Sequence, residues 1–122
     1  MEWMFVYDGP VLTANRQRTI QNRHVLAKIV RDIKAFTVLS ARAQCPPSRV
    51  AAGPVTVEIG DWCKTRNIRD WDAVVPTTKA VLDALQGVVY DNDADIVLAV
   101  IHKPQYNPDK TDRIVFTFGW EQ

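Results

Sequence analysis

Between Arg69 and Asp95 the chain gathers Asp70, Asp72, Lys79, Asp83, Asp91, Asn92, Asp93 and Asp95 into one short span. Carboxylates brought to a single point repel one another, so each resists ionising beside the next. A hard divalent cation removes that repulsion. Mg²⁺ prefers oxygen ligands and often takes only one or two from protein, leaving the rest to water and phosphate. The chemistry such a site suits is hydrolysis of a phosphodiester, with Lys79 steadying phosphate charge. Asp70 and Asp72 are two apart; on an extended backbone they point to the same side, where both could meet one cation. In a helix the same spacing separates them by about 200°. They also stand just before a helical pattern, so capping or plain solvation is the simpler reading of the pair. Lys79 and Asp83 are one turn apart and otherwise read as a surface ion pair. The acids from Asp91 to Asp95 otherwise read as a solvated turn.

The elements that must position these residues follow the order β-α-β-α-β-β. They predict a single α+β domain over 1–122, a mixed β-sheet packed with two main helices. Trp3 to Tyr7 reads as a strand that stops at Asp8-Gly9-Pro10. A long helix is expected from about Arg16–Ile20 to Ala43, with Leu26, Ile29, Val30, Ile33 and Phe36 on its apolar face. Arg16, Arg23, Arg31, Lys34 and Arg42 fall within about 100° of one another on that helix. Pro46 and Pro47 end it. Val55, Val57 and Ile59 alternate with polar residues, a half-buried strand running to about Trp62. A basic loop, Lys64 to Arg69, leads to a helix over Val74–Leu85, with Pro76 near its start and Gly87 past its end. The wholly apolar run Ile96–Ile101 reads as a buried strand, and Ile114–Phe118 as the last one.

A chain of 122 residues with 47% hydrophobic content fits one domain with a real core. The net charge of +1 hides an asymmetry: residues 1–50 hold eight Lys/Arg and three acids, and residues 51–122 hold seven Lys/Arg and eleven acids. A basic half and an acidic half suit a protein that grips a polyanion with one surface and cations with another. No apolar run approaches the roughly 20 residues of a membrane span. The N-terminal residues lack the basic start of a signal peptide, so a cytoplasmic protein without membrane contact is expected. Cys45 and Cys63 form no CxxC pair, and with His24 and His102 distant in sequence they read as reduced structural thiols. Trp62, Trp71 and Trp120 are candidates for stacking on unpaired bases, with core or interface positions as the alternative.

The order Asp70-Trp71-Asp72, Lys79, Asp83-Ala84-Leu85, Gly87, Asp91-Asn92-Asp93 and then Ile96-Val97 resembles the core pattern of the RusA-like Holliday junction resolvases. Leu12 to Arg18, with Asn15 and Arg16, is similar to that family's entry segment. Lys64, Arg66 and Arg69 look like the basic residues before its first acid. Ala73 stands where the family usually has Asn, and Asn92 interrupts the acidic pair.

The resemblance implies a homodimeric, Mg²⁺-dependent endodeoxyribonuclease, with Mn²⁺ as a possible substitute, that resolves four-way junctions by paired nicks in recombination and repair. It implies that Asp70, Asp72 and one of Asp91 or Asp93 hold the metal, with Lys79 as a catalytic cation. Asn15, Arg16, Arg18, Arg23, Lys64, Arg66 and Arg69 are implied as contacts to branched DNA. Ala73 and Asn92 motivate a second reading, a DNA-branch binder impaired in catalysis. A third is a non-nuclease interaction domain whose acids are all surface residues.

Overall fold

Alternation of inward and outward residues builds the sheet. The computed structural model describes residues 1–121. Its elements are β1 (Glu2–Tyr7), α1 (Ala14–Thr19), α2 (Arg23–Ala43), β2 (Val55–Cys63), α3 (Val75–Ala84), a 3₁₀ turn at Asp93–Asp95, β3 (Ile96–Ile101), β4 (Gln105–Tyr106) and β5 (Arg113–Trp120). The strands lie in the order β1-β5-β2-β3, and β4 pairs with the last residues of β2. β5 is antiparallel to both β1 and β2, whereas β3 and β4 run parallel to β2. The fold is therefore α+β with a mixed sheet. The parallel pairing makes β2–α3–β3 a crossover unit, as parallel neighbours require.

Trp3, Phe5 and Tyr7 of β1, Val55, Val57 and Ile59 of β2, and Ile114, Phe116, Phe118 and Trp120 of β5 share the buried face. Their rings pack in a layer, Trp3 against Phe5 at 5.7 Å and against Phe118 at 5.9 Å between centroids. Against this layer α2 lays Ile33, Thr37 and Ala41, and α3 lays Ala80 and Val81. The opposite face, with Met4, Thr56 and Glu58, is exposed. Gln44, at the end of α2, closes part of the β1 edge: its amide donates to the Val6 carbonyl (2.8 Å) and accepts from the Val6 N–H (2.7 Å). An edge satisfied in this way cannot recruit another strand there.

Two expectations are corrected. The long helix is two helices, because Asn22 caps α2 by accepting from the His24 N–H at 2.8 Å in an extended conformation. Arg16 on α1 is thereby separated from the basic residues of α2, and the single stripe is broken. The apolar strand β3 is not buried. It forms a sheet edge with only β2 beside it, leaving Val97 and Leu98 63% and 54% exposed. No helix among the described residues is long and apolar enough to cross a membrane.

Candidate metal and nucleic-acid site

The strand pattern of β2 carries one inward residue that is not apolar. Asp61 falls in the series Val55, Val57, Ile59, Asp61, Cys63, and its side chain is fully buried. A buried carboxylate is tolerated only when paired and hydrogen-bonded. Arg69 supplies both, donating from Nη2 to Oδ1 at 2.5 Å and from Nε to Oδ2 at 3.1 Å. Its remaining nitrogen, Nη1, donates to Asp112 at 3.3 Å. The hydrogen bonds to Asp61 hold the Arg69 charge more firmly than usual and outweigh the opposing effect of burial. Asp112 Oδ1 also accepts from the Lys64 N–H at 2.8 Å, so both ends of the basic loop are tied to one oxygen. This corrects the expectation for Arg69: the guanidinium is spent inside the protein, anchoring the backbone that delivers Asp70, and does not reach out to phosphate.

From Asp70 the chain turns at once. The Ala73 N–H donates to the Asp70 carbonyl (3.0 Å) and the Val75 N–H to the Asp72 carbonyl (3.2 Å). The Asp-x-Asp segment thus lies in a turn, which corrects its reading as an extended pair sharing one side by strand alternation. The capping alternative is also set aside, since the residue that caps α3 is Val74 and no side chain accepts a capping hydrogen bond there. Asp70 and Asp72 are exposed, and neither carboxylate takes part in an ion pair or side-chain hydrogen bond among the described residues. Two uncompensated hard-oxygen donors within three residues suit a cation that completes its shell with water and phosphate.

α3 separates the acids. Asp70 and Asp72 precede it, Asp91 and Asp93 follow it, and its ten residues span about 15 Å. Among the described residues no three His, Cys, Asp or Glu side chains gather where one ion could be held. The three-carboxylate site implied by the resemblance, Asp70 and Asp72 with Asp91 or Asp93, is therefore not gathered among the described residues of one chain. A groove of about 230 Å³ between α3 and β3 joins the two ends instead, lined by Val75, Lys79, Leu82, Asp83 and Asp93 among others. Val75, Lys79 and Asp83 recur at helical spacing along its α3 wall.

Lys79 does not pair with Asp83. That carboxylate reaches across to Lys34 of α2 at 3.9 Å, and Lys79 has no acidic partner among the described residues. Asn92 Oδ1 caps the 3₁₀ turn by accepting from the Ala94 N–H (2.9 Å). Its place in the acidic segment is thereby structural, and the turn sets Asp93, rather than Asp91, along the groove with Lys79. Tyr90 lies beneath, buried, donating from its hydroxyl to the Leu82 carbonyl. Burial, helped by Asp83 and Asp93, pushes its phenol well above the ordinary range.

The basic residues approach from α1. Thr77 of α3 both accepts from the Leu12 N–H and donates to the Leu12 carbonyl, each at 2.8 Å, and the Ala14 N–H donates to the Ala73 carbonyl at 2.8 Å. These bonds dock the start of α1 beside the Asp70–Ala73 turn. Asn15, Arg16 and Arg18 are exposed on α1 and Arg23 at the start of α2, and none of the three arginines is in an ion pair among the described residues. Lys64 and Arg66 are exposed on the loop, with Arg66 lying over the Tyr106 ring at 4.6 Å.

Asp61 and Asp112 escaped the motif-based reading. The alternation in β2 was the available signal for Asp61, whereas nothing local marks Asp112. No family model matches the chain, and no curated protein matches it.

Proposed function

We propose that this chain is a RusA-like, Mg²⁺-dependent endodeoxyribonuclease of the cytoplasm that resolves four-way DNA junctions by paired nicks. The reading is carried by one observation: the motif residues occupy a single β2–α3–β3 unit, with Asp70 and Asp72 at the entrance of α3 and Lys79 and Asp93 along one groove beside it. Asp70 and Asp72 are the cation ligands. Bound Mg²⁺ would supply Lewis-acid charge at the scissile phosphate and an activated water. Lys79, without an acidic partner among the described residues, places a positive charge where the transition state gains negative charge. Asp93 contributes negative potential at the far end of the groove, and Asp91 is the lesser candidate. Asn15, Arg16, Arg18, Arg23, Lys64 and Arg66 hold phosphates without reading bases, so affinity falls steeply with salt.

Two strands must be cut at a junction, and a symmetric homodimer offers two copies of one site. The open edge of β3, with Val97 and Leu98 exposed, is the surface we assign to it, because an unpaired edge strand can pair with that of a second copy. The test is incubation of the folded protein with a synthetic four-way junction and Mg²⁺ or Mn²⁺. Paired symmetric nicks are expected. Tight binding without nicks in either metal favours the catalytically impaired branch binder, and a folded protein that does not bind or nick the junction rules out the nucleic-acid reading.

A further inference from the structure

Trp71 sits between Asp70 and Asp72 with 61% of its surface in solvent, whereas Trp3 and Trp120 are 9% and 8% exposed and Trp62 is half-buried. A large aromatic normally finds cover in a core or an interface. Ile68, three residues earlier, is 42% exposed as well. These two apolar side chains flank Arg69, and Arg69 is locked to buried Asp61 and to Asp112. The backbone that presents them is thus clamped from both sides. Exposed cationic side chains lie on the neighbouring segments: Lys64 and Arg66 on the clamped loop, and Arg16 and Arg18 on α1, whose start the Ala14–Ala73 hydrogen bond holds against the same turn.

We propose that Trp71 is a stacking platform for an unpaired nucleobase, with Lys64, Arg66, Arg16 and Arg18 holding the phosphates on either side. The ligand class is single-stranded DNA, such as the unstacked nucleotides at a branch point. An aromatic face beside a track of cations is the arrangement by which proteins hold single strands without reading sequence. Clamping matters because a surface already ordered loses less freedom on binding. The inference rests on the nucleic-acid reading above and deepens it, adding a contact to bases where the other candidates contact phosphate.

Trp71 is itself the reporter. Its emission should be that of a solvent-exposed indole, and a short oligothymidylate in EDTA, where no strand is cut, should quench it. Affinity read by anisotropy of the labelled oligonucleotide should fall about 5- to 100-fold in Trp71→Ala. Trp71→Phe should keep affinity within a few-fold while losing the quenching. Circular dichroism should show both variants folded, since Trp71 is largely in solvent and outside the buried core. Equal affinity of Trp71→Ala and wild type, or no quenching at saturation, overturns the proposal. So does a blue shift on raising protein concentration without DNA, which would mean that a second copy covers the indole. A protein that binds the four-way junction yet shows no Trp71 effect loses only the stacking platform; one that binds neither junction nor single strand loses the nucleic-acid reading too.

Discussion

Replacing Asp61 by Ala removes the buried half of the clamp and tests whether it holds the Asp70–Asp72 turn in place. The Asp61 side chain has no exposure and Arg69 has 19%, so the guanidinium left behind has limited access to water. Breaking one side of a buried ion pair costs about 3–5 kcal/mol, because the surviving charge stays desolvated without its partner. Here the lower value, about 3 kcal/mol, is expected, since Arg69 keeps Asp112 at 3.3 Å and its exposed fraction can hydrate. Asp112 is 31% exposed, and Asp112→Ala should cost about 1 kcal/mol from lost hydrogen bonds to Arg69 and the Lys64 N–H. Urea unfolding gives both numbers from the shift in midpoint at constant slope. A double-mutant cycle between Asp61→Ala and Arg69→Ala should return a coupling of about 2 kcal/mol or more. Coupling near zero, or Asp61→Ala within about 0.5 kcal/mol of wild type, would show that the carboxylate and guanidinium do not depend on each other.

Thr77→Val keeps the shape of the side chain but orphans the Leu12 N–H and carbonyl inside the protein; a loss of about 1–3 kcal/mol in chemical unfolding is expected. Asn22→Ala removes the acceptor that starts α2 and should cost about 1 kcal/mol by the same measurement. Burial, aided by Asp8 for Tyr7 and by Asp83 and Asp93 for Tyr90, raises both phenol pKa values in the folded state. The neutral phenol is favoured on folding, so this stability is complete below about pH 10 and declines as pH rises beyond it. Thermal melts across alkaline pH should show that decline, with phenolate absorbance appearing together with unfolding. In cleavage assays with folded variants, Asp93→Asn should lower the rate more than Asp91→Asn, because Asp93 lines the groove with Lys79.

Much of the sheet was legible because alternation is local. Val55, Val57 and Ile59 announce β2, and the same period places Asp61 inward once it is followed two residues further. The exposure of β3 was not legible, since an apolar run reads alike in a buried strand and at an edge; only its single pairing with β2 decides the matter. The break before α2 lay under continuous helical periodicity, and the Asn22 cap became clear only from its hydrogen bonds. For the candidate site, the residue types of the Asp70–Asp93 span were readable but their convergence was not. The turn bond from Ala73 to Asp70 and the length of α3 set those carboxylates apart. The destination of Arg69 depends on Asp112, which precedes β5 and lies 43 residues away in sequence.

The most direct measurement is calorimetric titration of the protein with Mn²⁺ in the presence of a four-way junction made resistant to cleavage. Wild type should take up the cation, and the Asp70→Asn, Asp72→Asn double variant should lose that uptake while still binding the junction. No uptake by wild type, or equal uptake by the double variant, would contradict the assignment of Asp70 and Asp72 as the cation ligands of a DNA-cutting site.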